Sequence, residues 1–249
     1  MTPPGFEDRR LSFGAEAGAY AQHRPGYPPD AVVWVLAAAT RQVRDVVDVG
    51  AGAGALTRVL LAQGLRVTAY DADAQMLAEL ERRLPGVPTR VAPAESLPLP
   101  DGSVDAVLVA QAWHWFDKPA AAAEFVRVVR PGGVIGLLWN VRDSDVPWMG
   151  ELSDLIDGED TTRASRTEAR AEIASVHPDV ESAEFAHTVA MTPDEILGLV
   201  STYSYVRLRS DADDVYAAVR RLLATHPGTA GLGVIDVPYV TATYRVRCP

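Results

Sequence analysis

The chain has 249 residues, of which 48% are apolar, and its formal net charge is −10. This composition excludes wholesale disorder, and so acidic a surface disfavours nucleic acid as a partner because it repels phosphate. The single cysteine, Cys248, excludes an internal disulfide. No apolar stretch indicates a signal peptide or a membrane span, so we expect a cytoplasmic protein.

Strands and helices alternate along the first 140 residues. A short helix within residues 12–24 is followed by a proline-broken turn and a second helix over 31–40. Apolar runs then predict strands at 44–50, 66–71, 87–92, 103–111 and 134–140, with helices at 55–64, 71–86 and 119–133. Strand–helix–strand units at this spacing predict right-handed crossovers and a parallel sheet, hence an α/β fold.

The character of the chain changes after residue 140. Residues 141–173 are polar, acidic and weakly periodic, which indicates helices in pieces. An alternating strand is predicted at 180–191, helices at 192–206 and 211–226, and a last strand at 235–247. The first of these helices opens with a capping pattern, Thr192 followed by Glu195. We expect the last strand to be antiparallel at or near a sheet edge, with the two helices covering the mouth of the sheet.

A glycine-rich loop, VVDVGAGAGALT at residues 46–57, follows the first strand of the sheet. In an open parallel sheet such a loop lies where ligands bind, outside the carboxyl ends of the strands. GAGAGA also satisfies the dinucleotide pattern, with Asp71 about twenty residues later, so a nicotinamide or flavin oxidoreductase is an alternative. A tight turn without a ligand is another. Asp48, however, is an acid within the strand and would repel a pyrophosphate.

Four segments together resemble the class I S-adenosylmethionine-dependent methyltransferases: VVDVGAGAGALT, VTAYDADAQML, VAPAESLPLPDGSVDAVLVAQAWHWF and VVRPGGVIGLLWN. They cover about residues 45–140. The resemblance implies a Rossmann-like, mainly parallel seven-stranded sheet with an antiparallel last strand and helices on both faces. Two further segments, GAYAQHRPGYPPD and QAWHWFD, resemble a small-molecule subgroup of UbiE and trans-aconitate methyltransferase-like proteins. A member of this family that binds the cofactor without catalysis is a further alternative.

The resemblance implies one methyltransferase domain over residues 1–249. A cofactor-covering arm and helix would occupy residues 1–40, the cofactor-binding core 41–140, a helical lid with one strand 141–230, and the final strand 231–249. The lid would select the acceptor and exclude water. Arg142, Arg163, Arg166 or Arg207 could recognise an anionic acceptor there, or could be ordinary surface arginines.

The resemblance also places the methionine and ribose parts of S-adenosylmethionine. Gly50, Ala51 and Gly52 would let the backbone pass beneath the methionine part. Asp48 would stabilise that loop and lie near the cofactor amine. Asp71 would accept hydrogen bonds from both ribose hydroxyls, which a carboxylate does well in bidentate fashion.

The adenine and the far end of the cofactor would lie against the next strands. Ala72 and Met76 would flank the adenine, although Met76 could equally be a plain core residue. Ala94 would offer backbone to the adenine edge, beside Glu95, whose alternative role is a solvated N-cap. Gln111 would present its carbonyl near the cofactor amine.

The N-terminal segment supplies two more candidates. Arg24 could pair with the cofactor carboxylate, and Tyr20 could face the sulfonium. The alternative is that both side chains only fasten the arm to the domain.

Candidates for acid–base chemistry are few. His114 follows the fourth strand and could take a proton from the acceptor, or could pack between Trp113 and Trp115 and shape the pocket. These tryptophans with Tyr203 and Tyr205 could form an aromatic wall facing a cation, or could be core and lid residues.

Missing motifs narrow the acceptor. No N/D-P-P-Y/F/W sequence and no Pro-Cys nucleophile follow the fourth strand, and Gln111 stands where metal-dependent relatives carry an acid. Asp143 and Asp145 alone make a poor metal site. We therefore expect no metal and a small-molecule acceptor methylated on a hydroxyl or carboxylate oxygen rather than on nitrogen or carbon.

Overall fold

The computed structural model describes residues 24–157 and 179–248, and these residues contain a seven-stranded sheet. The strand order is β3-β2-β1-β4-β5-β7-β6. The strands are β1 Asp45–Val49, β2 Arg66–Asp71, β3 Thr89–Val91, β4 Val104–Ala110, β5 Val129–Arg142, β6 Glu181–Met191 and β7 Ile235–Arg247.

The sheet is mixed, as predicted. Strands β1 to β5 pair in parallel, whereas β7 runs antiparallel to both of its neighbours, β5 and β6. The last strand therefore lies one place inside the edge that β6 forms. Because β1 has β2 on one side and β4 on the other, the strand order reverses at β1, which is where ligands bind in this architecture.

Helices cover both faces of the sheet. The described helices are α1 Pro29–Leu36, α2 Ala55–Ala62, α3 Ala74–Arg83, α4 Lys118–Val128, α5 Pro147–Asp157, α6 Pro193–Ser201, α7 Ser204–Arg207 and α8 Ala212–Thr225, and a short 3₁₀ turn spans Trp113–Trp115. Alternate strand residues supply the two faces, since successive side chains of a strand point to opposite sides. Val46 packs with Leu56 and Leu60 of α2, whereas Val47 packs with Phe125 of α4.

The helices after β5 pack into a core of their own, which we call the cover. Helices α5, α6 and α8 contribute Met149, Ile196 and Val219, and the start of β7 contributes Ile235 and Tyr239. The predicted capping box of α6 is present, with Thr192 and Glu195 bonded reciprocally. No described helix is long and apolar enough to cross a membrane.

One boundary differs from the prediction. The sequence predicts a helix that extends to a Pro-Gly-Gly exit at residues 131–133, but α4 ends at Val128 and β5 begins at Val129. Pro131 lacks the N–H that a helix would need, and Gly133 lies so close to β4 that an added Cβ would be 2.4 Å from the Asp105 carbonyl oxygen. These residues therefore run along β4 as the first part of β5. The helix predicted within 12–24 lies outside the described residues, except for its last position.

Candidate functional site

A cleft opens at the carboxyl ends of β1, β2, β3 and β4, at the point where the strand order reverses. The cleft is open to solvent, and the space within it and its mouth amounts to about 770 Å³. It is lined by Val49, Gly50, Gly52, Asp71, Ala72, Asp73, Met76, Ala92, Pro93, Ala94, Glu95, Ala110, Gln111, Ala112, Trp115 and Phe116.

The glycine loop forms the floor of the cleft. Gly50 has a φ of +69°, and a Cβ there would lie 2.4 Å from the Cβ of Ala112. Gly52 has a φ of +53°, and its added Cβ would lie 3.3 Å from Cε of Met76. The amides of Gly50 and Ala51 both donate to the carbonyl of Tyr70 at the end of β2, at 2.8 and 3.0 Å. Glycine adopts these positive φ values without strain. Because it also lacks a side chain, the floor of the cleft leaves room for a ligand.

Asp71 joins the glycine loop to the start of α3. Its Oδ2 accepts from the amide of Gly52 and its Oδ1 from the amide of Asp73, both at 2.8 Å. Burial raises the pKa of Asp71, although these amides oppose the shift. A carboxylate has about four acceptor positions. Two are therefore left for hydroxyl groups of a ligand in the cleft.

Asp48 lies beneath the loop and is fully buried. Thr57 donates its hydroxyl to Oδ2 at 2.6 Å, and Oδ1 has no hydrogen-bond partner among the described residues. Burial raises the pKa of Asp48 to about 7, against the Thr57 hydrogen bond and with a smaller contribution from the charge of Asp71. Asp48 does not line the cleft, so it would act through the loop and α2.

Gln111 closes the end of the cleft beyond β4. Its φ of +56° is unusual for a residue with a side chain and indicates strain of the kind found at functional sites. Its amide donates to the Leu138 carbonyl at 3.0 Å, and its Nε2 donates to the Asn140 carbonyl at 2.9 Å. The side chain is thereby fixed between the cleft and the end of β5.

Glu95 also connects two walls of the cleft. Its Oε1 accepts from the amide of Asp117 at 2.7 Å, just before α4 begins. Glu95 therefore ties the segment after β3 to the segment that carries Trp115 and Phe116.

Several predicted residues lie away from the cleft. His114 is exposed, with its ring centroid 4.7 Å from that of Trp115, and does not line the cleft. Trp113 is buried in the core beside Phe125, so His114 is not held between two tryptophans. Arg24 lies over the ring of Tyr203, 4.6 Å from its centroid. Ala51 packs under α3 with Leu77 and Leu80. Tyr20, Arg163 and Arg166 lie outside the described residues.

The cleft is strongly acidic. Asp71, Asp73 and Glu95 line it, and no arginine or lysine is among the described lining residues. The charged side chains of this described lining are all negative, so they would repel a pyrophosphate and attract a positively charged ligand. The charge of the lining therefore opposes the dinucleotide alternative, which the glycine pattern alone left open.

Known proteins resemble the chain over nearly its whole length. A family model described as a methyltransferase domain matches residues 47–137. The chain is 42% identical over 243 residues to an uncharacterized methyltransferase of Mycobacterium bovis, covering 96% of each protein. A solved structure from Anaeromyxobacter dehalogenans, described as a candidate type II methyltransferase, is 28% identical, has a TM-score of 0.72, and covers 90% of this chain and 98% of that one. The chain belongs to the class I S-adenosylmethionine-dependent methyltransferases.

A more distant relative of this methyltransferase has a named activity. Malonyl-[acyl-carrier protein] O-methyltransferase of Enterobacter lignolyticus is 34% identical over 145 residues, which are 58% of each chain.

The cleft fits S-adenosylmethionine, the methyl donor of this family. Asp71 keeps acceptor positions for two ribose hydroxyls, the glycine floor leaves room for a chain to cross it, and the carboxylates suit a positively charged sulfur. The apolar residues Ala72, Met76 and Ala94 form one flank, where an adenine ring would find nonpolar surface. The methyltransferase prediction from the sequence is confirmed at the level of the family.

Half of the residues that line the cleft were not predicted from the sequence. The omitted residues are Val49, Asp73, Ala92, Pro93, Ala110, Ala112 and Phe116, and Trp115 was considered only as part of an aromatic wall. Their signal was available, because most of them directly end or follow a predicted strand. At the carboxyl edge of a parallel sheet, such positions meet at the same cleft.

Proposed function

We propose that this methyltransferase transfers the methyl group of S-adenosylmethionine to an oxygen atom of a small-molecule acceptor. The observation that carries the proposal is the acidic cleft, whose glycine floor and half-satisfied Asp71 match a cationic nucleoside. Asp71 would hold the ribose, Ala72, Met76 and Ala94 the adenine, and Gly50, Gly52 and Gln111 the methionine part.

Two observations support oxygen as the acceptor atom. When bound, S-adenosylmethionine supplies a methyl group on a positively charged sulfur, and transfer to oxygen forms a C–O bond and leaves a neutral thioether. The sequence lacks the motifs expected for amino-group and cytosine methylation. The Enterobacter relative is named for O-methylation of a malonyl group. We infer oxygen as the acceptor atom from these two points together.

The protein's contribution to the reaction would be position and exclusion of water. An acceptor held in line with the methyl group needs little further help, since positioning supplies much of the acceleration. If the acceptor oxygen is a carboxylate, no base is needed. If it is a hydroxyl, a base must take the proton, and His114 stays the predicted candidate, which would have to turn from its exposed position.

The remaining expectations also stay proposals. The cover would act as the acceptor-selecting lid, with the N-terminal arm closing over the cofactor. The cytoplasmic location, the absence of nucleic acid among the partners and the trans-aconitate-like subgroup rest on the sequence alone.

The proposal is tested by binding and by label transfer. We expect calorimetry to show that the protein binds S-adenosylhomocysteine and does not bind NADH. Methyl-labelled S-adenosylmethionine, incubated with the protein and a metabolite extract, should give labelled small molecules, and mild base should release labelled methanol if they are carboxyl esters. Binding of NADH alone would overturn the proposal, as would label that stays on the donor.

A further inference from the structure

A second polar cluster lies between the sheet and the cover. Arg142 of β5 stands directly opposite Tyr239 of β7, which stands opposite His187 of β6. Residues opposite each other in antiparallel strands share a face, so the three side chains form one cross-strand row. Arg24 and Tyr203 complete the group, which we call the arginine–tyrosine cluster.

The cluster concentrates positive charge around aromatic rings. The guanidinium of Arg24 lies 4.6 Å from the centroid of the Tyr203 ring, and that of Arg142 lies 5.6 Å from it. Arg142 also donates from Nε to the Ser153 hydroxyl at 3.0 Å. Two arginines that face one ring form a positive site in an otherwise acidic protein.

Buried polar atoms of the cluster lack a well-formed hydrogen bond among the described residues. They include Nε2 of His187 and the hydroxyl of Tyr239, a residue that is 3% exposed and whose nearest polar neighbour is the Tyr203 side chain. Buried polar groups in native proteins are nearly always hydrogen-bonded, so unsatisfied ones point to a missing partner. Burial raises the pKa of Tyr239 and lowers that of His187, so the phenol keeps its proton and the imidazole is neutral.

A chain of hydrogen bonds joins this cluster to the cofactor cleft. Gln111, in the cleft, donates to the carbonyl of Asn140, and the Asn140 side chain accepts from Thr241 at 2.6 Å. Thr241 Oγ1 lies 3.4 Å from His187 Nδ1. Asn140 also donates to the Gly26 carbonyl at 2.8 Å, which fixes the segment that carries Arg24. The cluster is therefore connected to the cleft through Gln111, Asn140 and Thr241.

We propose that the arginine–tyrosine cluster binds a carboxylate of the methyl acceptor. This inference rests on the proposed function. Arg142 and Arg24 supply charge, and the Tyr239 hydroxyl supplies a neutral donor, a set that suits a carboxylate. A carboxylate held by arginines is a poor nucleophile, so the atom methylated is a second oxygen. The acceptor class is therefore a small organic acid with a further hydroxyl or carboxyl group.

The test uses two matched pairs of variants of the full chain. Tyr239→Phe removes only the buried hydroxyl, and Tyr244→Phe is its control because Tyr244 lies on the opposite face of the same strand, against Trp139. Arg142→Gln removes a cluster charge, and Arg209→Gln is its control because Arg209 pairs with Asp211 outside the cluster.

A metabolite extract is separated into anionic and uncharged fractions, and each is incubated with methyl-labelled S-adenosylmethionine. We expect the anionic fraction to contain labelled methyl acceptors. Labelling should persist when this fraction is first treated with phosphatase, because the proposed ligand is a carboxylate and not a phosphate. Arg142→Gln and Tyr239→Phe should raise the KM for that fraction at least tenfold, and the controls should change it less than twofold. Label confined to the uncharged fraction, activity lost with phosphatase, or unchanged KM in both cluster variants would overturn the inference alone. Label in neither fraction would overturn the proposed function with it.

A second measurement separates acceptor binding from cofactor binding. S-adenosylhomocysteine carries the amino-acid carboxylate that S-adenosylmethionine also has, whereas methylthioadenosine lacks it. We expect these four variants, and Arg24→Gln as a fifth, to bind both nucleosides within twofold of the unmodified protein. If Arg142→Gln and Arg24→Gln weaken binding of S-adenosylhomocysteine but not of methylthioadenosine, the cluster holds the cofactor carboxylate and the inference is wrong.

Discussion

Asp71 has two roles, one in the structure of the glycine loop and one in binding the ligand, and a substitution of Asp71 affects both. It accepts from the amides of Gly52 and Asp73, and it would hold the ribose. The side chain that would bind the ligand therefore also shapes the loop beside it. The contribution of Asp71 to ligand affinity is therefore measured by comparison with a variant of a neighbouring carboxylate that also accepts from a backbone amide.

We expect Asp71→Ala to weaken binding of S-adenosylhomocysteine by about 1.5–3 kcal/mol, or about 10- to 150-fold, because charge-assisted hydrogen bonds to hydroxyls are lost. Calorimetry measures the affinity. Asp73→Asn is the control, since it removes a nearby cleft carboxylate while asparagine still caps α3. Equal losses in both variants would show that general negative charge, and not the Asp71 contact, holds the nucleoside.

Asp48 predicts a pH dependence of stability. Its pKa is raised to about 7 in the folded protein from an ordinary value of 3.8, mainly by burial. The folded state then holds a proton that the unfolded state has lost, so the free energy of unfolding falls as the pH rises from about 4 to about 7. Asp48→Asn cannot titrate, and its amide oxygen can still accept from Thr57.

Urea unfolding of the unmodified protein and of Asp48→Asn at pH 5 and pH 8 tests this prediction. The unmodified protein should lose about 2–3 kcal/mol relative to the variant over that interval, because each unit of pKa shift corresponds to about 1.4 kcal/mol. Other titrating groups cancel in the comparison. A difference between the two proteins that does not change with pH would contradict the raised pKa.

The turn between β1 and α2 is the element on which the site depends. At Gly50 an added Cβ would meet Ala112 at 2.4 Å, whereas at Gly64 nothing lies within 4 Å of it. Both residues have positive φ, of +69° and +77°. The two glycines therefore share backbone strain on substitution and differ in packing.

We expect Gly64→Ala to cost about 1–2 kcal/mol of stability, the cost of the left-handed conformation alone, and to leave cofactor affinity unchanged. Gly50→Ala should cost about 1–3 kcal/mol more, because overpacking displaces the segment after β4, and should weaken S-adenosylhomocysteine binding. Urea unfolding and calorimetry measure the two effects. If both variants lost the same stability and kept the same affinity, the segment that carries Ala112 would move away from the added Cβ without cost.

Elements and strand ends were predictable from sequence because their signals are local. Apolar runs predicted the first five strands and alternating patterns the last two, and the glycine loop and Asp71 predicted the cleft. The early start of β5 was missed because a Pro-Gly-Gly run resembles a helix exit, and its pairing with β4 is a tertiary effect. The row of Arg142, Tyr239 and His187 depends on the register of strands about 50 to 100 residues apart. No local pattern encodes that register.

At the scale of the whole molecule, the sheet and the cover share a strand. The start of β7 lies in the core of the cover through Ile235 and Tyr239, and its far end lies in the core beneath α4 through Ala242 and Tyr244. β7 also pairs along its length with β5 and β6. Separating the cover from the sheet would break this strand in its middle, so we propose that the described parts unfold as one cooperative unit.

Scanning calorimetry with and without S-adenosylhomocysteine tests this cooperativity. A ligand at 100 times its Kd stabilises a folded protein by about 2.7 kcal/mol, which for a chain of this size corresponds to about 5–10 °C in Tm. Because β7 couples the cover to the sheet that carries the cleft, the single transition should move as a whole although no cleft residue belongs to the core of the cover. Two transitions, of which only one shifts with the ligand, would show that the cover is a separate folding unit and that the single-domain prediction is wrong.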